Sequence, residues 1–264
     1  MLFVLGTGRN GSSLLSAILN NHPKVFISPE QYSLSKTIIK KRFGLNKNSI
    51  SLADEFLSNS YHWKLKAHKG ELDFSNCKTV QDFVLSLYRQ EARLNNKQPT
   101  ILGDKTPHNL QYFPFLSKCF PLAKFIFLVR NPFEVAASFK RLETTNNFEL
   151  KKTLKQWNLT FEYFNLSKNQ KTNSILVRYE SLISKPEDTI ERVFEFLELP
   201  GDAQTIVNAN RDAEMLGLEK NVNHQNLNRP IGKKEPKEYT QSLTKKEVDL
   251  IEHETAKHNI EFQR

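Results

Sequence analysis

The residues Gly6-Thr7-Gly8-Arg9-Asn10-Gly11-Ser12-Ser13 set glycines, hydroxyls and a guanidinium directly behind a short apolar run. That is the make-up of an anion cradle. Glycines let the backbone turn tightly enough for successive N–H groups to converge on one anion, and a helix that follows adds the positive end of its dipole. Ser12 and Ser13 supply hydroxyl donors, and Arg9 supplies a fork of charged donors. A Walker loop would place a lysine where Ser12 stands and would space its glycines differently. Gly6 to Gly11 is also a literal G-x-G-x-x-G, so a dinucleotide site stays open, with Glu30 the one acid placed to meet a ribose.

Arg9-Asn10-Gly11-Ser12-Ser13, followed by Leu14-Leu15 and Asn21-His22-Pro23, resembles the 5′-phosphosulfate loop of the sulfotransferases that use 3′-phosphoadenosine 5′-phosphosulfate (PAPS). That loop reads roughly Arg/Lys-Ser-Gly-Thr-Thr after a first strand. Here Asn10 replaces the first serine, and Ser12 and Ser13 replace the threonines, so the hydroxyl donors survive. The likeness is to the tyrosylprotein and carbohydrate branches more than to the small-molecule cytosolic branch. A second family signature is an arginine that closes a central strand, with a serine eight residues later; together they hold the cofactor's 3′-phosphate. Arg130 and Ser138 match it. The placement is sound on physical grounds. Arg130 ends the apolar run Phe125-Ile126-Phe127-Leu128-Val129, and ligands bind at the carboxyl ends of strands in open α/β sheets. Ser138 lies two turns into the next helix, and arginine recognises phosphate through a bidentate fork. The resemblance covers about residues 1–35 and 100–200.

The resemblance implies PAPS as cofactor, adenosine 3′,5′-bisphosphate as product and no metal requirement. It also implies roles for single residues. Tyrosylprotein sulfotransferases carry a glutamate base shortly after the His-Pro element, and Ser28-Pro29-Glu30-Gln31 keeps one such acid in Glu30. The small-molecule branch uses a histidine base, for which His108 is the nearest candidate, placed where it would cap a helix. A Lys-x-Pro element in the family steadies the sulfuryl group, and Lys105 in Lys105-Thr106-Pro107 corresponds to it. A cation beside developing anionic oxygens lowers the barrier electrostatically. Arg9 should sit against the bridging or leaving oxygen. Arg178-Tyr179-Glu180 matches a family triplet near cofactor or acceptor, which makes Tyr179 a contact candidate. Arg229 and Lys233, in Asn228-Arg229-Pro230-Ile231-Gly232-Lys233, match the segment that closes over PAPS.

These groups need a scaffold that brings chain-distant residues together. Short apolar runs alternate with polar turns and helical patterns, which is the pattern of a parallel sheet with crossover helices. Runs at Leu2–Leu5, Val25–Ile27, Thr100–Gly103, Phe125–Val129 and Ser174–Val177 predict about five strands, flanked by helices in a P-loop nucleotide-hydrolase-like sulfotransferase fold. Asn131-Pro132-Phe133-Glu134, Ser184-Lys185-Pro186-Glu187 and Thr244-Lys245-Lys246-Glu247 read as helix starts. The last opens a helix over roughly 244–258. One domain spans 1–264, with 33–99 an inserted helical region on the acceptor side, patterned around Phe83, Leu87 and Leu94, and 221–239 a basic loop near the cofactor.

The chain has 264 residues, enough for one large α/β domain, and a formal net charge of +9 that favours anionic partners. It shows no aromatic–basic stripe of the kind that reads nucleic acid. Met1–Leu5 is too short for a signal core, no stretch is long and apolar enough to span a bilayer, and Cys77 and Cys119 read as reduced thiols; a cytoplasmic setting is the expectation. The acceptor would be a free hydroxyl on a carbohydrate, a peptide tyrosine or a small molecule. A P-loop kinase and a non-catalytic nucleotide-binding module are the competing classes.

Overall fold

A computed structural model describes residues 1–30, 68–141, 149–211, 231 and 239–259. Its centre is a five-stranded, all-parallel sheet: β1 (Leu2–Leu5), β2 (Val25–Ser28), β3 (Ile101–Asp104), β4 (Lys124–Val129) and β5 (Ser174–Arg178), in the order β2-β3-β1-β4-β5. The expected strands are all present, with ends moved by a residue or so. The helices among the described residues are α1 (Ser12–Asn20), α2 (Val80–Leu94), α3 (Phe113–Cys119), α4 (Pro132–Lys140), α5 (Leu150–Asn169), α6 (Tyr179–Ser184), α7 (Pro186–Leu197), α8 (Ala203–Asn208) and α9 (Lys245–Asn259). None of them is long and apolar enough to cross a membrane.

The strands are apolar on both faces because helices cover both. Their period of two sorts the side chains by shape. Phe3, Leu5, Phe125 and Phe127 face the core under α2, α3 and α5, where Phe113 meets Phe125 and Phe127 edge-on. Leu2, Val4, Ile126 and Leu128 face the opposite core, with Leu15 and Ile18 of α1 and Ile190 and Val193 of α7.

Helix starts mostly follow the local chemistry. Asn131 caps α4, its side chain accepting from the N–H groups of Phe133 and Glu134 at 2.9 and 3.3 Å. Thr244 and Glu247 exchange bonds as expected of a capping box, Thr244 N to Glu247 Oε2 at 2.7 Å and Glu247 N to Thr244 Oγ1 at 3.3 Å. The Ser184 cap is corrected: Ser184 closes the short helix α6, Lys185 stands at the junction with no capping side chain, and Pro186 opens α7. His108 likewise caps nothing; it lies within a 3₁₀ turn over Pro107–Tyr112 whose leading residue is Thr106. Within 33–99, residues 33–67 lie outside the described residues, and the rest supplies a 3₁₀ turn at Lys69–Glu71, helix α2 and the connection to β3. A box between Thr79 and Asp82 starts α2, and Phe83 and Leu87 are buried in the core.

Candidate active site

The order of the strands decides where a ligand can sit. From β1 the chain crosses to β2 on one side, and from β4 it crosses to β5 on the other, although β1 and β4 are neighbours. Such a divergence opens a crevice at the carboxyl ends of the two strands. The loop after β1 and the residues after β4 meet there.

The loop is built for close approach. Gly11 has φ +93°, and a Cβ on it would stand 2.2 Å from Cδ2 of Tyr179. A Cβ on Gly6 would stand 2.3 Å from the Leu128 carbonyl oxygen. Arg9 takes φ +65°, a conformation costing roughly 1–2 kcal/mol for a residue with a Cβ. Asn10, standing where the related loops have serine, is fully buried and spends its side chain on the loop. Its Nδ2 donates to Leu128 O at 2.8 Å, and its Oδ1 accepts from Ser12 N at 3.2 Å. Asn10 therefore ties the loop to β4.

On one flank the loop joins Arg130 and Ser138. Arg9 Nε donates to Ser138 Oγ at 3.1 Å, and Arg130 donates from Nη1 to the Arg9 carbonyl at 3.3 Å. The Arg130 guanidinium lies 4.4 Å from the ring centroid of Tyr179 and pairs with Glu134 Oε2 at 3.1 Å. Its Nε is buried with no partner. Burial and the neighbouring Arg130 push the Arg9 guanidinium down from its ordinary value. Two cations this close form a site that an anion would relieve.

On the other flank the loop joins Lys105 and Glu30. Lys105 is fully buried at the end of β3; its Nζ donates to Glu30 Oε1 at 2.7 Å and to Ser13 Oγ at 3.3 Å. Glu30, two residues past β2, keeps part of its side chain open to solvent. Arg9, Ser13, Glu30, Lys105, Arg130, Ser138 and Tyr179 are thus linked through one loop, although they are spread over much of the chain. Among the described residues no cluster of His, Cys, Asp or Glu is arranged to bind a metal. Arg229 and Lys233 lie outside the described residues.

His22 of the His-Pro element and His108, the alternative base, each have partners of their own. The buried His22 ring lies within 2.7 Å of Pro200 O at Nε2 and accepts from Lys24 N at Nδ1, an arrangement that closes the turn after α1. His108 hydrogen bonds with Gln111 and packs edge-on against Tyr112.

Several supporting residues were not singled out from the sequence. Trp157 of α5 donates from Nε1 to the Arg130 carbonyl at 2.8 Å. Glu180 accepts from Asn131 N at 2.8 Å, while burial raises its pKa above the ordinary carboxylate value. Glu134, four residues after Arg130 on the following helix, had the spacing of a helical ion pair and could have been found that way.

Comparison with known proteins speaks to the family and the fold. Protein-tyrosine sulfotransferase of Drosophila melanogaster is 25% identical over 210 residues, covering 76% of this chain and 38% of the fly protein. The chain thus spans well under half the length of that relative. The sulfotransferase domain of the Synechococcus PCC 7002 olefin synthase superposes with a TM-score of 0.59 at 22% identity, over 97% of this chain and 94% of that one. Mouse sulfotransferase SULT7A1, solved in complex with PAP, superposes with a TM-score of 0.54 at 12% identity, over 98% and 84%. At these identities the superpositions speak for the fold alone. The sulfotransferase family model matches residues 2–203, which takes in the loop after β1, the ends of β2, β3 and β4 and the Tyr179 platform, and the chain belongs to that family.

Proposed function

We propose that the chain transfers a sulfuryl group from PAPS to an acceptor hydroxyl and releases adenosine 3′,5′-bisphosphate (PAP). The observation that carries this reading is the double contact of Arg9, which binds Ser138 through its side chain and Arg130 through its carbonyl. One crevice thereby offers two anion-binding groups, as a nucleotide with phosphates at both ends demands. The buried, unpartnered Nε of Arg130 fits such a ligand.

PAPS, when bound, supplies an activated sulfuryl group. The chain's own residues would do the rest. The backbone of the loop Gly8–Ser13 and the hydroxyls of Ser12 and Ser13 would hold the phosphosulfate. Arg130 and Ser138 would hold the 3′-phosphate, with Tyr179 keeping the guanidinium in place by stacking. Arg9 and Lys105 would stabilise the negative charge that builds on the transferring and leaving oxygens, an effect strengthened by burial. Glu30 would accept the proton of the acceptor hydroxyl. In the free protein Glu30 is held by Lys105, so the carboxylate acts as base once Lys105 turns to the sulfuryl oxygens. Arg229 and Lys233 complete the proposal as phosphate contacts. The fly relative's name favours phenolic hydroxyls as acceptors, with sugars and small molecules also to be tested.

Two measurements test this. Thermal shift with PAP and with ATP plus magnesium separates the donor classes: stabilisation by PAP is expected, and stabilisation by ATP–magnesium alone refutes the proposal. Transfer from ³⁵S-labelled PAPS to tyrosyl peptides, oligosaccharides and phenols then identifies the acceptor.

A further inference from the structure

Behind the Glu30–Lys105 pair lies a second layer of polar groups that the proposed chemistry does not use. Ser28 and Asp104 are register partners, the last paired residues of β2 and β3, and both are fully buried. Each is bonded by a side chain from α2. Ser28 Oγ donates to Glu91 Oε2 at 2.5 Å, and the Tyr88 hydroxyl donates to Asp104 Oδ2. Asn109 adds a bond to Asp104 Oδ1 at 2.9 Å. Tyr88 and Glu91 are three residues apart, hence neighbours on one face of the helix, and both are buried. Lys105 follows Asp104 directly, and Glu30 follows Ser28 by two residues.

We propose that Tyr88 and Glu91 are positioning residues: one face of α2 holds the ends of β2 and β3 in step and so sets the reach between Glu30 and Lys105. The inference rests on the assignment of those two residues to the chemistry. The chemical choice of groups supports it. A buried polar residue costs stability unless bonded, and a helix that only covered the sheet would do better with Phe and Leu here, as it has at Phe83 and Leu87. Burial and the nearby Asp104 and Glu91 push the Tyr88 hydroxyl well above its ordinary pKa, so it remains a donor. Misplacing a catalytic group by an ångström costs on the order of 100-fold in rate, so bonds at the base of this pair have leverage on it.

The test reads the pair directly and needs no acceptor. In protein labelled with ¹⁵N at lysine Nζ, a buried ion-paired ammonium exchanges slowly and gives a resolved signal, assigned by its loss in Lys105→Met. Tyr88→Phe and Ser28→Ala each delete one hydroxyl and should shift or broaden the Lys105 signal. The signal of Lys97, which donates to Val25 O at the other end of β2 at 2.7 Å, should stay in place, and PAP affinity should stay within about twofold. Glu91→Gln keeps an acceptor for Ser28 and should retain the wild-type signal, whereas Glu91→Leu should not. An unchanged Lys105 signal in both Tyr88→Phe and Ser28→Ala overturns the proposal, as does the lack of any Lys105 signal in the wild type. Equal movement of the Lys97 signal would show a purely structural role and overturns it too. If one variant fails to fold, the other decides, because Ser28 belongs to the end of β2 whereas Tyr88, on α2, bonds the end of β3. Glu30→Gln separates the underlying reading: retained sulfuryl transfer in that variant removes Glu30 as base whatever the Lys105 signal does.

Discussion

Replacing Arg130 by Met keeps the aliphatic stem and deletes the fork. In the free protein that fork is shared between the Arg9 carbonyl at 3.3 Å, Glu134 at 3.1 Å and the face of Tyr179. A hydrogen bond to a charged group is worth about 1.5–3 kcal/mol, and a bidentate phosphate contact makes two. Part of that gain is offset, because Arg130 must loosen its hold on Glu134 to serve the ligand. A net loss of about 2–3 kcal/mol corresponds to PAP binding weakened by roughly 30- to 150-fold. The same change strands Glu134, whose side chain is only 11% exposed, without its cation. An unpaired buried charge costs about 3–5 kcal/mol, so the melting temperature should fall as well. The two effects can be separated. Isothermal calorimetry, run well below the melting temperature, gives the affinity. The double variant Arg130→Met/Glu134→Gln should recover stability but not affinity. Affinity within about threefold of wild type in the single variant, or affinity restored in the double, would show that Arg130 does not touch the ligand and was read wrongly.

Gly11→Ala should cost about 1–3 kcal/mol in chemical denaturation and weaken PAP binding at least tenfold, since its Cβ drives the Tyr179 ring off Arg130; unchanged values would mean the loop relaxes freely. Glu30→Gln should bind PAP normally and lose sulfuryl transfer by about 100-fold or more in the ³⁵S assay, and retained turnover would direct attention to His108. Glu247 sets a pH dependence. Burial opposes its ionisation, but hydrogen bonds from Lys140 and Thr244 outweigh burial and hold its carboxyl below the ordinary value. The unfolded chain therefore takes up this proton at higher pH than the folded one. The stabilisation is full above the ordinary carboxylate range and is lost as pH falls through the depressed value. Glu247→Gln should flatten the acid limb of stability against pH in urea titrations, and an unaltered slope would show that the bond contributes nothing.

Much of the scaffold was legible because it is encoded locally. Phe125–Val129 reads as a strand buried on both faces, and Asn131-Pro132 as the start of the helix after it, and both stand in the fold. The glycine loop was legible as a tight turn between a strand and a helix, while its spacing alone left a dinucleotide site open beside the phosphosulfate resemblance. Ser184 misled because a capping residue is recognised only relative to where a helix begins, and a short helix already ended there. Asn10 stood in the sequence only as the replacement for a serine in the loop; its bond to the Leu128 carbonyl, which ties the loop to β4, joins residues far apart in the chain and came from the packing.

What the sequence determined by itself is the five strands, the main helix starts after β4 and before the last helix, and the chemical character of each strand end, since periodicity, capping and turn chemistry act over a few residues. What only the tertiary structure decided is who meets whom. A parallel crossover carries the chain away and returns it beside a strand far removed in number, so no spacing along the chain predicts that Lys105 reaches Glu30 or that Arg130 reaches Arg9. The same holds for Tyr88 and Glu91. On a helix they read as ordinary polar positions, and only packing against the ends of β2 and β3 takes them out of water and gives them partners.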